Sequence, residues 1–159
     1  MTMTSGTITG KELFWFNNTL VAIQISSHAG ADGICVVEHR MPHGDSPPLH
    51  VHRNEDEVFH VLEGRLRFQI DGHERIVVAG ETVIAPKGLP HTYRVESPEG
   101  ARSLTITRGS DFETMLRQAS RPAERPELPP QTEPTPEIIA ALVQLCANNG
   151  IDIVGPPLA

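Results

Sequence analysis

Between residues 12 and 107, apolar and polar positions alternate in short runs that end at turn residues. The runs are E-L-F-W-F, T-L-V-A-I-Q-I, I-C-V-V-E-H-R, D-E-V-F-H-V-L-E, R-L-R-F-Q-I, E-R-I-V-V, E-T-V-I-A-P, H-T-Y-R-V and S-L-T-I-T. A period of two sends successive side chains to opposite faces, so this pattern predicts a series of strands. Asp71-Gly72 between two runs predicts a tight hairpin, because a type I′ turn needs positive φ at both central residues. Many short strands with glycine turns predict an all-β sandwich or barrel, not a βαβ sheet.

The period changes at Ser110. S-D-F-E has the form of a capping box, and Phe112, Met115, Leu116 and Ala119 follow at helical spacing. Residues 121–136 hold six prolines, which predicts an extended connector along the surface. Thr135-Pro136-Glu137 predicts the start of a second helix, with Thr as N-cap, Pro in the first turn and an acid facing the dipole. Ile138, Leu142, Leu145 and Cys146 share one side of it, and Gly150 stops it. The run I-D-I-V that follows is expected to be a short edge strand. This divides the chain into a β domain with N-terminal strands over 1–108 and a helical, proline-rich extension over 109–159 packed on it. The pattern leaves open whether the helices cover the outer face or close the mouth.

At 159 residues the chain is long enough for one domain with a core. The net charge is −7, only Lys11 and Lys87 are lysines, and the arginines are scattered, so no nucleic-acid partner is expected. No apolar run approaches the length of a membrane span. The first ten residues, M-T-M-T-S-G-T-I-T-G, lack the charged start and apolar core of a signal peptide. Cys35 and Cys146 form no paired motif, so no disulfide framework is expected, and a reducing cytoplasm is the expected location.

The chemistry concentrates in G-D-S-P-P-L-H-V-H-R-N-E-D-E, residues 44–57. His50 and His52 project from one face of a strand, and Glu57 opens the next alternating run. His91 follows inside P-K-G-L-P-H. Three imidazoles and a carboxylate without thiolate suit one divalent ion of Fe, Mn, Ni, Co, Zn or Cu. Each imidazole must bind neutral and the glutamate ionised, so affinity is expected to fall as pH drops toward histidine's pKa.

These residues resemble the two motifs of the cupin superfamily. The first, G-x5-H-x-H-x4-E-x6-G, runs as Gly44, His50, His52, Glu57 and Gly64. The second, G-x5-P-x-G-x2-H-x3-N, is matched at Gly80, Pro86, Gly88 and His91, with Val95 in place of the final Asn. The resemblance implies a double-stranded β-helix (jelly-roll) barrel with one metal inside, bound by His50, His52, Glu57 and His91. The four glycines are read as turn residues.

Alternation from the ligands predicts their neighbours. Phe59 and Val61 share the phase of Glu57, Tyr93 and Val95 that of His91, and Leu66, Phe68 and Ile70 form an apolar face. Phe59, Val61, Phe68, Tyr93 and His39 are the expected substrate pocket, suited to an apolar or aromatic small molecule with a chelating oxygen. Tyr93 either hydrogen-bonds the substrate or simply packs. His39 is either a base beside the metal or a solvated strand position, the latter being favoured. Glu57 is a candidate base as well as a ligand. His28, His43, His60 and His73 carry no assigned role.

The layout resembles the small quercetin-dioxygenase-like cupins, including the capped helix and the G-I-D-I-V-G-P-P ending. It implies a metal-dependent oxidoreductase, a dioxygenase. The alternatives are a non-redox isomerase, decarboxylase or lyase, and a small-ligand-binding protein without catalysis. A homodimer is expected through the aromatic cluster at 14–16 on an edge strand, with packing onto its own barrel as the alternative.

Overall fold

In a computed structural model, which describes residues 12–159, the alternating runs form two antiparallel sheets. The ten N-terminal residues read above for a leader lie outside the described residues. The strands are β1 (Leu13–Phe16), β2 (Thr19–Ile25), β3 (Ile34–Met41), β4 (Pro48–His52), β5 (Glu57–Glu63), β6 (Arg65–Ile70), β7 (His73–Val78), β8 (Thr82–Ala85), β9 (His91–Val95) and β10 (Ala101–Arg108). Helix α1 (Asp111–Ala119), β11 (Arg121–Pro122), helix α2 (Pro136–Asn148) and β12 (Ile151–Pro157) complete the chain. One sheet runs β11-β1-β2-β3-β10-β5-β8 and the other β12-β4-β9-β6-β7. This is the expected all-β jelly roll with C-terminal helices.

Register aligns the inner face of the larger sheet. His39 lies opposite Ser103, which lies opposite Val61; Val37, Thr105 and Phe59 form the next row, and Cys35, Thr107 and Glu57 the next. From the smaller sheet, Leu66 pairs with Val95, Phe68 with Tyr93 and Ile70 with His91. Phe59, Val61, Leu66, Phe68, Val77 and Val95 make the apolar core, each at most 4% exposed. Burying a side chain of this kind stabilises the fold by about 1.5–3 kcal/mol.

The Asp71-Gly72 hairpin forms as predicted, with φ of 50° and 79°. Gly64 also has positive φ, and a Cβ there would lie 2.6 Å from the Gly100 carbonyl, so the β5–β6 turn admits no side chain.

Helix α1 departs from its predicted cap. The Ser110 side chain makes no capping bond. Instead Glu55, distant in sequence, accepts a 2.9 Å bond from the Phe112 N–H. Glu113, the other half of the expected box, turns away to bind the Ser26 hydroxyl, the Ser27 N–H and Arg117. A buried carboxylate already at the helix start displaces the local hydroxyl, because a charged acceptor makes the stronger bond. At α2 the local signal holds, with Thr135 Oγ1 accepting from the Ile138 N–H at 3.2 Å. Ile138 itself is 53% exposed and does not join the packed side, which begins at Leu142.

Both helices pack in one apolar cluster with β2 and β3. Phe112, Met115 and Leu116 of α1 pack on Val21, Ile23, Cys35 and Val37, on the face that also carries His39. The C-terminal residues also enter both sheets. The strand β12 is the predicted edge strand and pairs with β4, setting Ile151 beside His52 and Ile153 beside His50.

The aromatic cluster at 14–16 packs on its own chain. β11 lies outside β1, so β1 is not an edge. Trp15 is 3% exposed, donates its indole N–H to the Glu127 carbonyl, and lies under the Arg121 and Arg125 guanidinium groups. The proline-rich connector covers it through Ala123 and Leu128. Among the described residues no helix is long and apolar enough to cross a membrane.

Candidate metal centre

His50 and His52 stand two apart on β4, so both rings point into the barrel. Strand β9 sets His91 directly across from His50. Glu57, the first residue of β5, reaches the same point from the facing sheet. Glu57 Oε2 lies 2.9 Å from His52 Nε2 and 2.9 Å from His91 Nε2. The ring centroids of His50 and His91 are 4.3 Å apart, and those of His52 and His91 5.4 Å.

The donor set fits one metal ion. One ligand atom from each of the four residues lies within 4.8 Å of all the others. Two donors each about 2.1 Å from one ion and at right angles are about 3 Å apart, which the Glu57 contacts match. His50 donates its Nδ1–H to the Pro48 carbonyl at 2.7 Å, which fixes the tautomer and leaves Nε2 its lone pair. His52 and His91 keep Nδ1 buried without a partner. Glu57, His52 and His91 are at most 3% exposed, whereas His50 is half-buried.

The electrostatics keep the set ready for a cation. Burial pushes the Glu57 carboxyl up, but His52 and His91 prevail and hold it well below the usual carboxylate range. Burial, followed by the His91 charge, brings His50 down to about 4. For His52, burial acts downward and the Glu57 carboxylate more than reverses it. The cluster is one carboxylate among imidazoles, and a cation bound there replaces protons.

Behind His91 the expected apolar neighbours come together. Phe59 lies 5.0 Å from Phe68, 5.9 Å from Tyr93 and 6.0 Å from His91, centroid to centroid. Val61 is fully buried in the same core. Tyr93 packs against this cluster, and burial, then Asp45 and Glu57, push its phenol well above its ordinary value.

His39 corrects the favoured expectation of a solvated strand residue. It is 7% exposed and stacks on Phe112, with centroids 6.0 Å apart and planes 12° from parallel. Helix α1 covers this part of β3, a contact between distant segments that strand periodicity does not carry. Phe112 also meets the edge of His52 at 6.2 Å.

Two features escaped the sequence reading. Glu55 is 2% exposed, and its second oxygen is buried without a partner. Its place in R-N-E-D-E looks like a solvated turn, and only the α1 cap explains its burial. Strand β10 turns Ser103, Thr105 and Thr107 inward, although Leu104 and Ile106 are its apolar phase. Of the unassigned histidines, His43 bonds the Ser97 carbonyl and His60 the Thr82 hydroxyl, both outside the ligand set.

Residues 37–107 match the cupin domain family. The chain is similar to quercetin 2,3-dioxygenase of Bacillus subtilis, 27% identical over 119 residues, covering 75% of this chain and 35% of that protein. It thus spans about a third of the length of that curated relative. Among solved structures, it is similar to a predicted oxalate decarboxylase of Thermotoga maritima, with a TM-score of 0.57 and 20% identity over 62% of this chain and 93% of that one. An RmlC-like cupin of Shewanella frigidimarina gives a TM-score of 0.55 and 18% identity, covering 70% of this chain and 99% of that one. At these identities the two structures show the fold alone.

Proposed function

We propose that this chain, which belongs to the cupin superfamily, is a metal-dependent dioxygenase of a small aromatic substrate that chelates through oxygen. The observation that carries the reading is the His50, His52, Glu57 and His91 set next to the Phe59, Phe68 and Tyr93 cluster. An ion held by these four residues supplies Lewis acidity and, for Fe, Mn, Ni, Co or Cu, one-electron redox capacity toward O2. Glu57, ionised at neutral pH, accepts the proton of a substrate hydroxyl through the carboxylate oxygen that does not face His52 and His91. Tyr93 stays a phenol and donates a hydrogen bond. Phe59 and Phe68 give an aromatic body apolar surface, and α1 keeps water from the His39 side.

Aerobic turnover of flavonols and β-diketones by metal-reconstituted protein tests this reading. O2 consumption tied to substrate loss is expected, and no uptake with any of them overturns it. Turnover that persists without O2, or with Zn substituted, assigns the site to isomerase, decarboxylase or lyase chemistry instead. Ligand binding without turnover makes the protein a binding module.

A homodimer and a cytoplasmic setting are part of the proposal. The outer face of the larger sheet supports the dimer, where Ile84, Val58, Ile106, Val36 and Ile25 stand in register across five strands. Ile84 is 50% and Ile25 47% exposed, ending an apolar row of the kind that an isologous interface between two copies buries. A monomer mass by light scattering rejects it. The buried free thiols of Cys35 and Cys146 support a reducing compartment.

A further inference from the structure

Glu55 lies in the connection 53–56 between β4 and β5, after His52 and before Glu57. It is 2% exposed, although Asn54 and Asp56 on either side of it are exposed. Gly109, at φ 135°, makes room for it, since a Cβ there would lie 2.5 Å from Glu55 Oε2. Only one of its oxygens is used. Oε1 accepts the Phe112 N–H at 2.9 Å, whereas Oε2 is buried without a partner. An uncharged serine or asparagine caps a helix equally well, so the cap alone does not account for a carboxylate at this depth.

His52 carries the complementary orphan. Its Nε2 lies 2.9 Å from Glu57 Oε2 and is the ring nitrogen turned to the ligand set. Once Nε2 is a ligand, the ring hydrogen sits on Nδ1, which is buried without an acceptor. His50 is already provided for by the Pro48 carbonyl. Phe112 joins the two orphans, because its N–H binds Glu55 and its ring meets the His52 ring at 6.2 Å. Burial pulls His52 down while Glu57 and then Glu55 pull it up, whereas only burial and Glu57 act on His39.

We propose that Glu55 is a positioning residue of the metal centre, its Oε2 accepting the Nδ1–H of His52, directly or across one water, while Oε1 caps α1. One side chain then fixes both the tautomer of a ligand and the start of the helix beside it. Ligating histidines donate their second N–H to an acceptor of this kind, which orients the ring and makes it more basic. The inference rests on the reading of His50, His52, Glu57 and His91 as ligands of one ion.

Co(II) added to the protein without substrate tests this, by equilibrium dialysis and by proton NMR in H2O. Beside the paramagnetic ion, the ring N–H of each ligating histidine gives an exchangeable, strongly shifted signal. Wild type should hold the His52 signal against exchange with water, as Pro48 holds that of His50. Glu55→Gln keeps a carbonyl for the Phe112 N–H but turns an amide donor toward His52. It should weaken Co(II) binding by about tenfold, lose the His52 signal and keep that of His50. Glu113→Gln loosens α1 from its other side and is the control. Its urea midpoint should fall, with Co(II) affinity and the His52 signal unchanged. A His52 signal unchanged in Glu55→Gln overturns the inference and leaves the ligand set standing. An equal loss of affinity in Glu113→Gln assigns the effect to the helix and overturns it as well. A wild type whose His52 N–H exchanges freely overturns it without any variant. A wild type that binds no Co(II) overturns the ligand set and this inference together.

Discussion

Around Phe68 the barrel interior is filled by Val61, Leu66, Val77 and Val95, none more than 1% exposed. Around Glu57 the same interior holds His39, His52, Glu55, His91 and Thr107, each with a buried nitrogen or oxygen lacking a partner. Phe59 touches both regions, 5.0 Å from Phe68 and 6.0 Å from His91. The first region stabilises through apolar burial and close packing. The second works against stability, since each unpaired buried polar group costs about 1–3 kcal/mol. A barrel needing only a core would be filled with valine and leucine throughout. The difference teaches that the apolar region offsets the cost of the polar one, and that the polar one is arranged for something that binds.

The largest effect should come from the apolar region. Phe68→Ala is expected to lower the unfolding free energy by about 3–5 kcal/mol in urea titrations, while metal affinity of the folded fraction changes only a few-fold. Collapse of metal affinity at a denaturant concentration where the variant is still folded would show that the two regions are not separate. The converse substitution is Glu57→Gln, expected to weaken metal binding by at least about 100-fold in equilibrium dialysis, since even outer-shell changes cost 10–100-fold. Wild-type metal content in this variant would remove the ligand assignment.

Helix α1 is the boundary between the regions, and Glu113 pins it. Burial pushes this carboxyl up, but bonds from Ser27, Ser26 and Arg117 bring it down to about 2 from its ordinary 4.5. A depressed carboxyl gives stability that is complete above about 4.5 and lost as pH falls toward about 2. Between pH 6 and pH 3 the wild type should therefore lose on the order of 2 kcal/mol more than Glu113→Gln, by urea unfolding at both values. Parallel pH profiles would show that Glu113 does not hold α1. The smallest effects separate the two helix starts. Thr135→Ala should cost about 1 kcal/mol, because its hydroxyl caps α2. Ser110→Ala should stay within about 0.5 kcal/mol, since Glu55 caps α1 in its place. A larger loss at Ser110 than at Thr135 would restore the local capping box.

The ligand set was legible because its geometry is local. His50 and His52 share a face by the period of two, and the spacing to Glu57 and His91 matches a known two-motif pattern. The strands and the Asp71-Gly72 hairpin were legible for the same reason. His39, Glu55 and Thr107 were not, because their burial depends on α1 and on which phase of a strand turns inward. The aromatic run at 14–16 looked like an edge because β11, more than a hundred residues later, cannot be seen from it.

The sequence by itself determined the strands, their turns, the start of α2 and the four residues that meet at the candidate metal centre, since each follows from neighbours within a few positions or from fixed motif spacing. Only the tertiary structure decided that α1 packs against β2 and β3, that Glu55 caps it, that β12 backs the histidine strand, and that β10 turns its hydroxyls inward. Those outcomes are contacts between segments far apart in the chain. No period within a single segment specifies the partner, and burial of a polar group depends on what the partner brings.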